Sequence, residues 1–233
     1  MPTPSWKRFA LPVSLLLIGA YWAVSTWATL FRVGGAALPG SVGVIALYVC
    51  VKTVLAVAVI WTLLQANEER FLGLGLSGPS LEAAGVWGPL VAAGVFVFDN
   101  VLLGSVLHAM GAPAKPHALQ ALFRDPREAP LWVFLAVVGG GFTEELIRAF
   151  VLTRFERALG RIGLAVALIV DSAVFGLGHL YQGVSGAIQS GITGLLFALI
   201  FLRRRRVADS MVAHALFDLY GVALAYFLYA GKH

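Results

Sequence analysis

Long runs of apolar residues, separated by short polar connections, account for most of the chain. Seven of these runs reach about the 20 residues that an α-helix needs to cross the hydrocarbon core of a bilayer. Their approximate bounds are Phe9–Phe31, Ser41–Ala66, Ala83–Leu107, Pro130–Thr153, Ile162–Tyr181, Gly183–Leu202 and Val207–Ala230. The pattern predicts an all-α fold, a polytopic transmembrane helical bundle of about seven spans, with six to eight as the range that the boundaries leave open.

Composition supports a surface that faces lipid. Of the 233 residues, 59% are hydrophobic and only 12% are charged, whereas a soluble globular domain carries about 25% charged residues. So few charges cannot cover a surface that faces water, which excludes an ordinary soluble protein. Because the composition does not change along the chain, residues 1–233 are predicted to form a single integral membrane domain, with a motif-bearing core at about 130–230.

The net charge of +5 follows the pattern of membrane topology signals, because most Lys and Arg residues stand at the ends of apolar runs. This distribution argues against a nucleic-acid partner. The connections on one side carry the larger share of basic residues, including the run Arg203–Arg206. The positive-inside rule therefore predicts that the N-terminus and this run face the cytoplasm, in what we expect to be a prokaryotic cytoplasmic membrane. The arginine run is interpreted as a topology anchor rather than a binding patch.

Two further features bear on the class of protein. Cys50 is the only cysteine, which excludes an intramolecular disulfide and a multi-cysteine metal site. Two connections, Glu68–Leu81 and Ala112–Arg127, look amphipathic. They are predicted either to lie in the membrane interface or to be ordinary loops.

Ionisable side chains inside the apolar runs carry the candidate chemistry, because a charge in hydrocarbon is costly and marks function by default. The first group follows three glycines, Gly139–Gly141, and contains Glu144, Glu145 and Arg148. Residues three and four apart share a helix face, so Arg148 can neutralise one carboxylate and leave the other for proton transfer. The glycines predict close packing of another helix. Taken alone, the group could also be a salt bridge at a helix end.

Two histidine groups follow on later runs. His179 ends the segment Phe175–His179, whose two glycines would thin the helix and admit a substrate backbone or water. His214 and Asp218 stand four residues apart, so imidazole and carboxylate share a helix face and the carboxylate can select one tautomer of the ring. Taken singly, each group also has a structural explanation, as a hydrogen-bonded core histidine or a self-satisfied intrahelical pair.

The three groups are more specific together than singly. Two Glu, two His and one Asp on three membrane helices can hold and activate a water molecule. Glu acting as general base on water is the chemistry of peptide-bond hydrolysis. The histidines could ligate a metal or donate hydrogen bonds to an oxyanion.

In their order and spacing these residues resemble the CPBP family, the CAAX protease and bacteriocin-processing (Abi-type) intramembrane proteases. That family carries a Glu-Glu motif followed by Arg, then Phe-x-x-x-His, then His-x-x-x-Asn or His-x-x-x-Asp. The corresponding residues here are Glu144, Glu145, Arg148, Phe175, His179, His214 and Asp218. The resemblance covers roughly residues 139–221.

The resemblance implies an intramembrane endopeptidase with Glu144 as the base and His179 beside it, while Glu145 and Arg148 would form a structural pair. One spacing departs from the family, which usually has three residues between the second Glu and the Arg, where this chain has two. Arg148 is therefore four residues from Glu144 and three from Glu145. Which carboxylate it neutralises, and which Glu is the base, stays open at this point.

The resemblance further implies that His214 and Asp218 form the pair that binds the oxyanion, with Phe175 as a supporting residue. The family has been described both as metalloproteases and as glutamic proteases. Because the two His lie on different helices without a short chelating motif, a mechanism without metal or other cofactor is favoured. If zinc is bound, its ligands would be Glu144, His179 and His214.

Two other classes of function stay open. A catalytically silent member of the same fold would serve as a membrane scaffold or immunity protein. A proton-coupled carrier would use the same intramembrane acids and histidines as a proton relay, although the chain lacks the internal repeat of many carriers. The partners expected of the protease are the lipid bilayer and a peptide or membrane-protein substrate, which the resemblance allows to be lipidated.

Overall fold

The computed structural model describes residues 10–33, 41–76, 78, 83–112, 123 and 125–229, with residues 29–33 and 83–84 described only in their backbone. The helices within these ranges are α1 (Ala10–Val33), α2 (Val42–Ala66), α3 (Gly88–Val97), α4 (Gly104–Ala109), α5 (Ala129–Phe134), α6 (Glu145–Gly178), α7 (Gly183–Arg204) and α8 (Val207–Tyr229). The π-helical segments are Ala83–Trp87, Phe98–Leu103 and Leu135–Glu144, and 3-10 turns lie at Phe71–Leu74, Pro126–Glu128 and Leu180–Gln182. The described part of the chain contains no strand.

Within the described ranges, six helical stretches are long and apolar enough to cross a membrane. They are Ala10–Ala28, Val42–Ala66, Gly85–Ala109, Pro126–Gly178, Leu180–Arg204 and Val207–Tyr229. The fourth stretch has 53 residues and breaks at Gly160, where φ is 61° and ψ is −143°. Such a backbone conformation is essentially restricted to glycine. The two arms on either side of Gly160 correspond to the fourth and fifth predicted runs, so the prediction of a transmembrane helical bundle of about seven spans is confirmed.

Large apolar side chains cover the outside of the bundle. Leu16, Trp27 and Phe227, for example, are 72%, 70% and 82% exposed. Monomeric soluble proteins rarely expose large continuous apolar patches, whereas in a bilayer such side chains face lipid tails that are as apolar as they are. The protein is therefore an integral membrane protein.

The first arm of α6 occupies the centre of the bundle. Consecutive residues on all its sides, from Ala149 to Leu152, are buried, which is the pattern of a helix enclosed by others. Around it pack residues of α1, α2, α7 and α8, among them Ile18, Leu64, Phe201 and Val207. The motif residues Glu145 and Arg148 belong to this arm, so the packing of the whole bundle positions them.

Glycines let the motif helices approach closely, as predicted for Gly139–Gly141. A methyl group on Gly141 would collide with Met211 and Ala215 of α8, and one on Gly140 with the Asp218 carboxylate. A methyl group on Gly139 would stand 3.4 Å from Val49 Cγ1 of α2. The π-helical segment Leu135–Glu144 therefore packs against α8 on one side and α2 on the other.

Gly176, three residues before His179, does not have the predicted role of admitting a substrate backbone or water. A methyl group on Gly176 would collide with the Ala187 carbonyl oxygen and would lie 3.1 Å from Gly191 Cα, both in α7. This glycine therefore admits a neighbouring helix, not a substrate backbone or water. At Gly178, by contrast, nothing lies within 4 Å of such a methyl group.

Basic residues predicted to share one side of the membrane do gather at one end of the bundle. Glu69, in the connection after α2, accepts hydrogen bonds from both Arg154 and Arg157 of α6. Glu156 in the same turn pairs with Arg205 through two hydrogen bonds of 2.6 and 2.8 Å. These ion pairs join α6, the α2 connection and the arginine run.

Most side chains of the run Arg203–Arg206 form ion pairs or hydrogen bonds with other groups of the protein. Arg204 donates to the buried Asp209 at 2.6 Å, and Arg206 donates to the Gly78 carbonyl oxygen at 2.7 Å. Arginines held in this way fix the α7–α8 turn.

The two amphipathic connections differ in how much of them is described. In the first, Leu74 is buried and packs into the core with Phe71, whereas Leu72 is exposed, so this connection folds partly onto the bundle. In the second, residues 113–122 and 124 lie outside the described residues. Phe123 is buried and stacks on Trp132 with ring centroids 4.3 Å apart.

Candidate active site

The two adjacent motif carboxylates lie at a junction of two kinds of helix. Glu144 is the last residue of the π-helical segment and Glu145 is the first residue of α6. Consecutive residues of a helix point roughly 100° apart, so the two side chains enter different surroundings. The sequence alone left open which of them pairs with Arg148.

Glu145 is the buried carboxylate and is bonded to its neighbours through one of its two oxygens. Its Oε1 atom accepts hydrogen bonds from Arg148 and from Nδ1 of His214, the latter at 2.8 Å. The side chains of Glu145 and Arg148 are 0% and 2% exposed. The expected structural pair of Glu145 and Arg148 is therefore present, and it also holds a histidine of α8.

Arg148 also reaches a second carboxylate, which sequence reasoning placed in a span without giving it a role. Its Nε atom lies 3.5 Å from Oδ2 of Asp171, and the guanidinium carbon lies 4.9 Å from the centre of the Phe175 ring. Asp171 in turn accepts a hydrogen bond of 3.4 Å from the indole of Trp22. The signal in the sequence was the high cost of a lone carboxylate in an apolar run.

Glu144 is the more accessible carboxylate of the pair. Its side chain is 22% exposed, and its Oε1 atom lies 3.8 Å from Nζ of Lys52 in α2. His179 and His214 both interact with it electrostatically. Glu144 is therefore partly exposed and lies near a cation and the two motif histidines, whereas its neighbour is enclosed.

His179 caps the C-terminal end of α6, and its ring folds back along the helix. Nδ1 donates a hydrogen bond of 2.9 Å to the Phe175 carbonyl oxygen, and the two rings are 4.7 Å apart. A neutral imidazole carries one proton. Because Nδ1 holds it, Nε2 is left with a lone pair that can accept a hydrogen bond.

His214 is buried and held on several sides. Its ring stacks on Phe197 with centroids 4.4 Å apart and planes tilted by 14°. While Nδ1 contacts Glu145, Nε2 lies 3.7 Å from Oδ1 of Asp218. Its ring centroid is 6.3 Å from that of Phe175, which also contacts His179, so the three motif helices meet at this point.

The arrangement agrees with the family that the motifs resemble. Residues 126–220 match the family model described as Type II CAAX prenyl endopeptidase Rce1-like. This part of the chain is similar to that family. The match contains every motif residue from Glu144 to Asp218, so the resemblance read from the sequence is confirmed. No curated protein and no solved structure is significantly similar to the chain.

The segment matched to Rce1-like proteins does not include α2, yet α2 completes the site. Thr53 and Thr143 share a hydrogen bond of 2.6 Å between their hydroxyl groups, and Thr143 also donates to the Val138 carbonyl oxygen. Lys52, next to Thr53, is the only charged residue of the 25-residue helix. That isolated charge was the available signal, and the sequence analysis gave it no role.

The described residues do not form a ready metal centre. They contain no group of three or more His, Cys, Asp or Glu side chains that could hold a metal ion. The candidate zinc ligands Glu144, His179 and His214 do not form such a group, and Nδ1 of His214 bonds to Glu145.

Proposed function

We propose that the protein is an intramembrane endopeptidase that hydrolyses a peptide bond with a water molecule activated by Glu144 and His179. The observation that carries the proposal is that two adjacent carboxylates lie in different surroundings. Glu145 is enclosed and bonded to Arg148 and His214, whereas Glu144 is partly exposed. A general base must reach water and must be free to take its proton, and only Glu144 of the two meets both conditions.

His179 supplies the second acceptor for the attacking water. A water molecule has two O–H groups, and its oxygen lone pair is aimed best when both are accepted. The Glu144 carboxylate accepts one, and Nε2 of His179 accepts the other because Nδ1 donates to the Phe175 carbonyl. The water oxygen then attacks the peptide carbonyl carbon while its proton passes to Glu144, which later delivers a proton to the leaving amine.

His214 and Asp218 are assigned to the oxyanion that forms on the carbonyl oxygen. Since Nδ1 of His214 donates to Glu145, Nε2 can donate to an oxyanion only when the ring is an imidazolium. Asp218 faces that nitrogen at 3.7 Å and interacts electrostatically with it. Donors preorganised at the position of the developing charge are among the largest contributions to catalysis.

The proposed substrate is a peptide or membrane-protein segment, lipidated or not. An apolar groove of about 400 Å³ begins at Thr53 and is lined by Val54, Val57, Ala58 and Trp61. Thr53 bonds to Thr143, the residue before Glu144. A lipid chain attached to the substrate would fit the chemistry of this groove. The orientation that we propose has the N-terminus and the arginine run in the cytoplasm of a prokaryotic cell.

The decisive experiment compares purified full-length variants in detergent or liposomes. The substrates are a farnesylated C-a-a-X peptide and an unmodified membrane peptide. Glu144→Gln and His179→Ala are expected to fold and to lose about 10²–10⁴ in rate, whereas Glu145→Gln is expected to lose folded yield. Glu128→Gln, a carboxylate in the turn before α5, is the control and keeps full activity. Full activity in Glu144→Gln would remove Glu144 from the role of base.

The same assay separates the alternatives. A catalytically silent relative would cleave neither substrate at any protein concentration. A proton-coupled carrier would also cleave neither, but would move protons across a liposome membrane. We expect hydrolysis to persist after treatment with a strong chelator, and loss of activity that zinc restores would replace the metal-free mechanism.

A further inference from the structure

Lys52 lies inside a membrane-spanning helix, where a charge is costly, and on the helix face that contacts the candidate active site. It lies near the middle of α2, in a helix without another Asp, Glu, Lys or Arg. A charged side chain at such a depth is rare, and in membrane proteins it is typically paired and functional. The family match begins at residue 126, so nothing in the match assigns Lys52 a role.

One face of α2 is fitted to the π-helical segment that carries Glu144. Val49, Lys52 and Thr53 are spaced as residues on one helix face. Val49 lies against Gly139, and Thr53 bonds to Thr143 at 2.6 Å. Lys52 lies between these two contacts, so its position against Glu144 is fixed from both sides.

The ammonium of Lys52 is committed to Glu144. The Nζ–Oε1 distance is 3.8 Å, and Glu144 is the only carboxylate within 4 Å of the ammonium among the described residues. Arg148, the nearest competing cation on the motif helices, is instead held by Glu145 and Asp171. Among the described residues, Lys52 is thus the only cationic side chain within 4 Å of the Glu144 carboxylate.

We propose that Lys52 is a positioning residue of the hydrolytic site, whose ammonium keeps the Glu144 carboxylate ionised and turned toward water. This inference rests on the proposed role of Glu144 as the base. An ionised carboxylate in an apolar surrounding is stabilised by a nearby opposite charge. The Lys52 ammonium lies 3.8 Å from Glu144, whereas the Arg148 guanidinium, which also interacts with Glu144 electrostatically, is bonded to Glu145. Lys52 acts through Glu144, and no contact with the substrate is required of it.

Several other groups share the electrostatic surroundings of Glu144 and would modify its titration. They are Tyr21 of α1, Lys52 of α2, Arg148 and Asp171 of α6, His179 at its end, and His214 and Asp218 of α8. Substitutions at Lys52 alone leave all the others in place. The comparison therefore isolates the effect of the ammonium.

The test measures the protonation state of Glu144 directly, by infrared spectroscopy of the full-length protein. The C=O band of the protonated carboxyl is identified as the band that Glu144→Gln removes. In Lys52→Met we expect this band to appear at a pH about 1–3 units higher than in the parent protein, the size typical of an opposite charge at this distance. Lys52→Arg restores the charge and is expected to return the band close to its original position.

Control variants separate charge from packing. Thr62→Val removes an exposed hydroxyl ten residues further along α2 without changing charge, and it is expected to leave the band titration in place. Lys52→Gln, which keeps a hydrogen-bond donor without charge, serves the same comparison if Lys52→Met does not fold. An unchanged band titration in the uncharged variants would overturn the inference.

Cleavage measured over the same pH range distinguishes this inference from the proposed function. If both hold, the acidic limb of the rate profile of Lys52→Met shifts in step with the band, and Lys52→Arg restores it. If the band shifts but Glu144→Gln still cleaves, Lys52 controls the charge of Glu144 but Glu144 is not the base. If Glu144→Gln is inactive and the band does not shift, the base assignment stands and the role of Lys52 is wrong.

Discussion

Arg148 shows how one residue can determine the state of a whole site. Its guanidinium lies between Glu145 and Asp171 and against the Phe175 ring. Planar, always charged and rich in donors, an arginine can serve two carboxylates at once, which a lysine cannot match geometrically. The pairing leaves Glu144 outside this hydrogen-bonded network, and it distinguishes the paired carboxylate from the one that we propose as the base.

Removal of Arg148 tests this arrangement through stability. Arg148→Ala leaves two carboxylates in a buried position without their cation, and breaking a buried ion pair costs about 3–5 kcal/mol. We expect a correspondingly lower resistance to unfolding in detergent and a lower folded yield. Arg157→Ala removes an arginine whose side chain is 51% exposed and should change the unfolding free energy by at most about 1 kcal/mol. Equal stability of the Arg148→Ala and parent proteins would contradict the network.

At the scale of elements, the π-helical segment Leu135–Glu144 and α8 form the contact on which the site depends. Small residues allow backbones in membranes to approach closely, and here Gly140 and Gly141 face Asp218 and Ala215. The wider winding of the segment is visible in the hydrogen bond from Thr143 to the carbonyl five residues before it. π-Helical turns occur frequently at functional sites, and this one ends at Glu144.

A matched pair of glycine variants measures that helix contact. Gly141→Ala inserts a methyl group into Met211 and Ala215, and overpacking of this kind costs about 1–3 kcal/mol. We expect lower thermal stability and lower cleavage, because the displaced α8 carries His214. Gly94→Ala, in α3 where nothing lies within 4 Å of the added methyl group, is expected to behave as the parent protein. If both variants unfold at the same temperature, close approach at Gly141 is not what joins the helices.

At the scale of the molecule, the ion pairs at the arginine-rich end connect segments that are distant in the chain. Arg154 is completely buried and binds Glu69, which lies 85 residues earlier. Arg157 binds the same carboxylate. The network closes the end of the bundle opposite to the turn that carries His179.

The acid stability of the protein is expected to depend on Glu69. Burial alone would raise the pKa of Glu69, but the hydrogen bonds and charges of Arg154 and Arg157 outweigh it and lower the pKa below the ordinary value of 4.5. Because the pKa is lower in the folded than in the unfolded protein, the stabilisation is complete above the ordinary value and is lost as the pH falls through the folded value.

Thermal unfolding in detergent between about pH 7 and pH 3 checks this sign. Glu69→Gln should be less stable than the parent near neutral pH, and the difference should shrink on acidification. Glu128→Gln is the control and should follow the parent curve throughout. A difference between Glu69→Gln and parent that grows as the pH falls would have the wrong sign for this network.

The sequence by itself determined the spans and the motif residues. Lipid requires about 20 apolar residues for each crossing, so span length can be read locally, and the predicted runs agree with the helices to within a few residues. The glycine approach at Gly139–Gly141 was also predictable, because the absence of a side chain is a local property. The family resemblance rested on spacing along single helices, which is local as well.

Tertiary structure alone decided which groups meet. Both Glu144 and Glu145 share a helix face with Arg148, and packing against α8 and Asp171 selected Glu145. His179 ends its helix, and its ring turns back to the Phe175 carbonyl, since side chains lean toward the start of their helix. Lys52 lies 92 residues before Glu144 in the chain, and no periodicity within one helix can report a contact between two.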